Sequence, residues 1–349
     1  LRLQDVPTLI RVDSTTDFLQ DPLLLLAPLL CVFTAALVLA HIFPLIMRPL
    51  DALSRRLPWV SLYVGVRRLY GQSGQYTNAL FLVIICLSLG AFYSSMALSV
   101  DRWMHDRQYY AVGADFTFKQ GVDTTPGLDG QASSAVGAWV LPISDYLELP
   151  GVLAATRVGD FAARVAVPRG PSLRVRFIGI DRLTFPDVAF YRDDFSSVPL
   201  GDLMNRLGRV RNGVLVSRRA LEQYNILEGQ KLTVEVTVDT YSHPIDFVVV
   251  GVYDLFPTVY SRSAEALIGN LDYLFEQTGD PSLYSIWLKT APDVGGEQLT
   301  KSIEGMGVLP LGVYDTRALL RGDSERSERI GIFGVLTIGF LAGSVLSWL

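Results

Sequence analysis

The stretch SLYVGVRRLYGQSGQYTNALFLVIICLSLG, residues 61–90, joins a basic segment to an apolar run of membrane length. Arg67 and Arg68 precede the run, and no Asp, Glu, Lys or Arg occurs from Thr77 to Val100. A helix needs about 20 apolar residues to cross the hydrocarbon core of a bilayer. The stretch therefore predicts a transmembrane helix over 77–100, with basic charge gathered before it.

Two further apolar runs predict transmembrane helices over 22–45 and 330–349. The first begins PLLLLAPLLCVFTAALVLAHIF and the second reads IGIFGVLTIGFLAGSVLSWL, and neither contains a charged residue. Because core helices of soluble proteins usually carry a polar face, these runs favour membrane spans over buried helices. Composition agrees, since 19% of the residues are charged, against about 25% in soluble domains.

The loop between the first two predicted spans, residues 46–76, decides the orientation of the chain. It is rich in arginine and has one acidic residue, Asp51; its basic residues are Arg48, Arg55, Arg56, Arg67 and Arg68. Short loops with an excess of Lys and Arg stay in the cytoplasm. The sequence therefore predicts a cytoplasmic linker over 46–76 and extracytoplasmic segments over 1–21 and 101–329.

The residues around Arg67 and Arg68 also have an amphipathic pattern. On a helix, one face would carry Leu62, Val66, Leu69 and Tyr70. This pattern predicts a helix on the inner membrane surface, with the two arginines toward the lipid headgroups. A plain basic flank of a transmembrane helix explains the arginines equally well.

The long outer region, residues 101–329, combines strand and helix patterns. Apolar and polar residues alternate in SLRVRFIGI (172–180) and KLTVEVTV (231–238), and IDFVVVGV (245–252) is typical of a more buried strand. Helices are expected after Ser217, over 263–275 and over 296–304. Since strands and helices follow no strict alternation, the predicted fold of this region is α+β.

Charged helical patterns flank the outer region on both sides. DRWMHDRQYY, residues 101–110, continues from the second predicted span and puts Trp103 at a plausible interfacial depth. TRALLRGDSERSERIG, residues 316–331, leads into the third span, with Glu325 and Arg329 spaced as an i,i+4 ion pair. These segments are either solvated helix ends or stalks that couple the outer domain to the membrane.

No catalytic, metal-binding or nucleic-acid-binding signature occurs in the sequence. GxxxxGK[ST], GxSxG, HExxH, CxxC and GxGxxG are all missing. Cys31 and Cys86 fall inside apolar runs, and the three histidines, His41, His105 and His243, lack ligand spacing. His243 precedes Pro244 and is expected in a turn between strands. The net charge of −5 does not indicate a basic surface that would bind nucleic acid. No residue in the sequence supports the interpretation that the protein is an enzyme.

The order of these segments resembles the FtsX-like permease family of ABC transporters, which includes MacB and the lipoprotein-releasing permeases. The resemblance covers most of residues 48–349. It rests on the 61–90 stretch, on YYAVGADFTF, on LPGVLAATRVGDF with FIGIDRLTFPDV, on GVLVSRRALEQYNILEGQKLTVEV with FVVVGVYDLFP, and on IGIFGVLTIGFLAGSVL.

The resemblance implies a multi-pass protein of the bacterial cytoplasmic (inner) membrane. Its fold would be three transmembrane α-helices plus an extracytoplasmic α+β domain of the MacB-like periplasmic core type. The chain would be part of a two-repeat member: the first helix ends repeat one and the other two begin repeat two. Two final helices, and the cytoplasmic loop that docks on the ATPase, would then be expected after Leu349.

The resemblance also implies a mechanical role. A separate cytoplasmic ABC ATPase would carry the ATP and Mg, so this chain would need no cofactor and would not be an enzyme. Further partners would be a second permease half or homodimer mate and membrane lipid, but no nucleic acid. The competing hypothesis is a structural membrane subunit with an outer binding domain in a larger complex.

Overall fold

This computed structural model describes residues 73–121, 141–166, 172–238, 241–260, 265–279 and 283–324, together with scattered residues between 33 and 49. The chain divides into two compact units. The described part of the first lies within His105–Arg321, and that of the second within Ile10–Met104 and Gly322–Leu349.

Helix α1, Ser73–Val112, contains 40 residues and includes the predicted span 77–100. Within the described part of the chain, its segment Phe81–Val112 is the one helix long and apolar enough to cross a membrane. The described residues of the first predicted span are helical, and one of them, Phe33, packs edge-on against Phe81 at 5.7 Å. The predicted surface helix around Arg67 and the predicted third span lie outside the described residues.

The first unit is built on a mixed sheet, which has nine strands in the described part of the chain. The spatial order is β3-β7-β4-β6-β5-β2-β8-β1-β9. The strands are β1 Phe116–Gly121, β2 Val152–Val165, β3 Leu173–Ile180, β4 Gly213–Ser217, β5 Lys231–Val238, β6 Tyr241–Tyr253, β7 Glu265–Asn270, β8 Ser285–Thr290 and β9 Leu309–Asp315.

Helices connect these strands without a repeating βαβ order, as the sequence predicted. The β3–β7 and β4–β6 pairs are parallel and the remaining pairs are antiparallel. The helices are α2 Ile143–Leu147, α3 Phe185–Val188, α4 Leu200–Arg209, α5 Arg218–Tyr224, α6 Leu271–Thr278, α7 Gly296–Gly305 and α8 Thr316–Ser324. The predicted α+β class is confirmed.

Apolar side chains are buried on both faces of the sheet. In β8, Ile286 and Leu288 belong to one buried cluster, whereas Trp287 belongs to another. Successive side chains of a strand point to opposite faces, so the two clusters cover opposite sides of the sheet. The sheet therefore forms the middle layer of the unit.

Several local predictions are confirmed. Strand β5 alternates buried and exposed residues along its length. The Ser217 side chain accepts a hydrogen bond from the Ala220 N–H and caps α5, as a residue before a helix should. Helix α7 occupies the predicted position and buries Leu299 and Ile303.

The helix predicted over 263–275 is wrong in its first half. Glu265–Asn270 is strand β7, and α6 begins only at Leu271. Strand β7 pairs with β3 and β4 on its two edges, and Leu267 and Ile268 are buried in the clusters on opposite faces of the sheet. Their apolar pattern fits an interior strand as well as a helix face, and sheet pairing decides between the two.

The turn predicted at His243 is also wrong, because His243 lies in β6 opposite Val236. Pro244 follows it and pairs with Glu235 of β5. The other edge of β6 is paired with β4 only from Val248 onward. A proline lacks an N–H but is tolerated where one edge of a strand is free.

Candidate functional site

A partly buried carboxylate lies just beyond the end of α1. The side chain of Asp115 is 12% exposed and forms an ion pair with Arg317 at 3.2 Å. It also accepts hydrogen bonds from the Tyr109 hydroxyl and from the Thr290 N–H, both at 2.9 Å. A carboxylate that receives this many donors holds α1, β8 and α8 at one point. We call Tyr109, Asp115, Thr290, Thr316 and Arg317 the base network.

The first turn of α8 supplies the other half of the base network. The Arg317 guanidinium donates to the carbonyl oxygens of Thr290 at 2.8 Å and Ala291 at 2.5 Å. The buried Thr316 hydroxyl donates to the Ala114 carbonyl at 2.6 Å, and its N–H donates to the Asp115 carbonyl at 3.0 Å. The start of α8 is thus fixed to the residues that leave α1.

A glycine makes this close approach possible. Gly113 ends α1 with φ at +93°, a conformation that residues with a Cβ rarely adopt. A Cβ on Gly113 would lie 2.2 Å from the Trp287 ring. Both constraints point to glycine, because the chain must turn sharply while it packs on a buried indole.

Aromatic side chains surround the last two turns of α1. Tyr109 packs on Phe190 with ring centroids 5.3 Å apart, and Tyr110 meets Phe195 and Tyr260 edge-on, each at 5.5 Å. Edge-on and offset aromatic pairs stabilise a contact beyond the area they bury. The end of α1 is therefore embedded in its domain and does not end at a flexible loop.

Backbone hydrogen bonds reinforce the same contact. The Phe190 N–H donates to the Gly113 carbonyl at 2.7 Å, and the Thr258 N–H donates to the Tyr110 carbonyl at 2.8 Å. The Tyr110 hydroxyl donates to the Val259 carbonyl. Thr258 has a positive φ of 66°, which is uncommon for a residue other than glycine. These bonds satisfy carbonyls that a helix end leaves without an intrahelical partner.

An arginine forms a charged link to α1 one turn earlier. Arg192 donates to Asp194 at 2.9 and 2.6 Å and also forms an ion pair with Asp106 of α1. The hydrogen bond that Arg192 donates to Asp194, followed by the charges of Asp194 and Asp106, raises the pKa of the Arg192 guanidinium. Burial raises the pKa of the neighbouring Tyr191 phenol to about 12. Arg192 therefore stays charged, and Tyr191 stays neutral.

His105, the histidine nearest the base network in the described part of the chain, lies on α1 four residues before Tyr109. His105 stacks on Tyr109 with ring centroids 4.5 Å apart, and its Nδ1 lies 3.3 Å from Oδ1 of Asp106. Among the described residues, no group of three or more His, Cys, Asp or Glu side chains could hold a metal ion. The site joins α1 and α8 to the sheet.

The structure includes one of the site residues predicted from the sequence. Trp103 lies on α1, and its side chain is 42% exposed. Arg67 and Arg68 lie outside the described residues, and so do Glu325 and Arg329, which follow the described end of α8.

Sequence reasoning missed the two residues at the centre of the base network, Asp115 and Arg317. They are separated by 202 positions in the chain, so no local spacing connects them. The local signals were modest: Gly113 at the end of a helical pattern, and Asp315 before the helical pattern of α8. Asp315 proves to be a cap, because its side chain accepts from the N–H groups of Arg317 and Ala318.

No family model matches the chain, and no curated protein matches its sequence. Among solved structures, the periplasmic region of MacB from Actinobacillus actinomycetemcomitans is similar at 15% identity and a TM-score of 0.37, over 62% of this chain and 96% of that one. The extracellular domain of the noncanonic ABC-type transporter YknZ from Gram-positive bacteria is similar at 12% identity and a TM-score of 0.32, over 52% and 81%.

A third similar structure is a domain of a Porphyromonas gingivalis protein assigned as a permease. It has 15% identity and a TM-score of 0.36, and the alignment covers 57% of this chain and 81% of that one. The three similar structures are thus a periplasmic region, an extracellular domain and a domain of a permease protein.

Proposed function

We propose that this chain is a permease subunit of an ABC transporter and that it carries motion driven by a separate ATPase to an extracytoplasmic domain. One observation carries the proposal: α1 is a single helix of 40 residues whose last turns are fixed by the base network. At 1.5 Å per residue it is about 60 Å long, roughly twice the hydrocarbon thickness of a bilayer. It is long enough to cross a membrane and continue into the domain.

The surface of α1 supports a membrane location. Leu82, Leu87 and Leu98 are 51%, 50% and 69% exposed, as side chains that face lipid would be. Trp103 follows the predicted span by about one turn, where an indole would lie at the membrane–water interface. In this proposal residues 77–100 span the inner membrane, and Arg67 and Arg68 lie on its cytoplasmic side.

Short connections favour transmission of force over its loss in a loop. Between the end of α1 at Val112 and the start of β1 at Phe116, only Gly113, Ala114 and Asp115 intervene. All three are tied down, by Phe190, Thr316 and Arg317 respectively. A displacement of α1 along its axis would therefore move β1 and the first turn of α8 together. Packed elements of this kind shift as units and do not deform continuously.

Other chains would supply the remaining parts of the transporter. ATP and Mg would bind to a cytoplasmic ABC ATPase, and this chain would act without a cofactor. A second permease half or a homodimer mate would complete the membrane part. Glu325 and Arg329 would extend α8 as the second stalk toward the span predicted over 330–349, with their i,i+4 spacing supporting the helix.

Copurification tests the proposal most simply. The full-length protein, tagged and extracted from its own membrane in mild detergent, should retain a P-loop ATPase in stoichiometric amount. Washing with Mg and ATP should alter the stability of that complex. Consistent recovery of the protein without any P-loop ATPase, across several detergents, would count decisively against the proposal.

A structural membrane subunit with an outer binding domain is the second candidate. An exposed apolar groove on the first unit, lined by Val313, Tyr314 and Leu319, favours it. This candidate predicts stable complexes with proteins other than ATPases, and no effect of ATP on the outer domain. The copurified partners and their response to ATP therefore separate the two functions.

A further inference from the structure

An open groove of about 550 Å³ lies between α7 on one side and the end of β9 with the first turns of α8 on the other. Its apolar lining comes from Phe116, Val313, Tyr314 and Leu319. The last three side chains are 36%, 56% and 40% exposed. Contiguous exposed apolar side chains with a polar rim are typical of surfaces that bind another molecule. We call this feature the α7–α8 groove.

The rim of the α7–α8 groove is acidic. Glu297 and Glu304 stand two turns apart on α7, Asp315 lies on the opposite side, and Lys301 is the basic member of the lining. Asp315 accepts hydrogen bonds from two N–H groups of α8. Within the described part of the chain, Glu297 and Glu304 have no ion pair. Three carboxylates around one ammonium leave the groove with a negative potential.

The strand that borders the groove is unsuited to pairing with a further strand. Among the described strands, β9 lies at the edge of the sheet, and it contains Pro310, which has no N–H to donate. It also contains Gly312 at φ +58°, and its register with β1 shifts between Thr117 and Lys119. A proline and a bulge on an edge strand prevent strand addition. The occupant of the groove is therefore better sought among helices.

The dimensions agree with a short helix. Helix α7 has 10 residues and is about 15 Å long, so it presents a groove about as long as two to three turns of a second helix. A helix with one apolar face lays its side chains into such a groove at i, i+3 and i+4 spacing. The acidic rim on both sides would then meet basic residues that flank the apolar face.

We propose that the α7–α8 groove binds a basic amphipathic helix of a partner protein. The acidic rim favours a basic partner, and the edge of β9, which is unsuited to pairing with a further strand, favours a helix. Asp315 both lines the groove and caps α8, which carries Arg317 of the base network. A helix bound in the groove would therefore lie against Asp315, the residue that caps α8. The inference does not depend on an ATPase partner.

The test uses the full chain in an uncharged detergent, with Cys31 and Cys86 replaced by alanine. Thr300→Cys in the groove carries an environment-sensitive fluorophore. The probes are two 12-residue amphipathic helical peptides with the same leucines, one with lysine and the other with glutamate at every polar position. Fluorescence titration gives the affinity of each peptide. Because both peptides enter micelles, the comparison is made between protein variants in the same detergent.

We expect the lysine peptide to bind in a saturable manner and the glutamate peptide not to bind. Replacing Glu297→Gln and Glu304→Gln together should weaken the lysine peptide about fivefold, since exposed ion pairs are individually weak. Raising the salt concentration should have a similar effect. The matched control replaces two exposed acidic residues elsewhere on the unit, Asp202→Asn and Glu222→Gln, and should leave the affinity unchanged.

Three results would overturn the inference. The two peptides could bind equally well, or the control pair could weaken binding as much as the groove pair. The fluorophore could also respond to protein concentration alone, without peptide, which would assign the groove to a second copy of this chain. The label at residue 300 and the substitutions at residues 297 and 304 lie on exposed or half-buried positions of α7, so these variants should fold.

Discussion

Replacement of Arg317 by methionine should loosen the base network without disturbing the sheet. Methionine retains much of the length of the side chain but removes the donors to Asp115, Thr290 and Ala291. Asp115 would keep a side chain that is 12% exposed and would lose its ion pair with Arg317. Removing one partner of a buried ion pair costs about 3 to 5 kcal/mol, and this pair is partly buried, with the Arg317 side chain 27% exposed. The Tyr109 hydroxyl and the Thr290 N–H still bind the carboxylate, which holds the value at the lower end of that range.

Hydrogen exchange of the full chain in detergent measures this loss where it occurs. The N–H of Thr290 donates to the Asp115 carboxylate, and the N–H of Thr316 donates to the Asp115 carbonyl. When exchange follows local opening, its rate reports the free energy of that opening. A loss of about 3 kcal/mol corresponds to a rate roughly a hundredfold faster at both amides.

Arg174 provides the matched control. It is an exposed arginine on β3, and Arg174→Met should change the exchange rates little, since surface substitutions alter stability by about 0.5 kcal/mol or less. The account of the base network would be refuted if Arg317→Met left both amides within about threefold of the unchanged protein. It would equally be refuted if Arg174→Met accelerated them to the same extent.

Two further predictions concern the stability of the same region. Gly113→Ala should destabilise the protein by about 1 to 3 kcal/mol more than Gly229→Ala in urea unfolding, because both glycines have positive φ but only Gly113 abuts the Trp287 ring; equal losses would contradict the close-packing argument. Burial raises the pKa of Tyr191 from 10 to about 12, so its contribution to stability is complete below pH 10 and is lost as the pH rises toward 12. Tyr191→Phe should flatten the alkaline fall of the melting temperature, whereas Tyr241→Phe, at an exposed tyrosine, should not; a steep fall that persists in Tyr191→Phe would argue against this assignment.

Local patterns were sufficient to predict much of the first unit. Strand β5 alternates because one of its faces is buried, and Ser217 precedes α5 because its hydroxyl caps the helix. These features depend on neighbours within a few positions, which a sequence displays directly. The long apolar run within α1 is predictable for the same reason.

The failures came where distant segments decide the local conformation. The run that contains Leu267 and Ile268 fits a helix face by its spacing, yet two sheet neighbours hold it as β7. His243 precedes a proline and suggested a turn, but pairing with β5 extends the strand through it. The base network could not be predicted, because Asp115 and Arg317 meet only after the sheet has brought β1 and β9 side by side.

If α1, β1 and α8 transmit ATP-driven motion, as we propose, hydrogen exchange of the assembled complex should detect it. The full-length protein with its copurified ATPase, in lipid nanodiscs, is compared with and without ATP and vanadate. We predict that the nucleotide changes the exchange of the amides in 105–117 and 309–317, and that Arg317→Met abolishes the change in 309–317 while the ATPase stays bound. Identical exchange in both nucleotide states, with a functional ATPase attached, would contradict the claim.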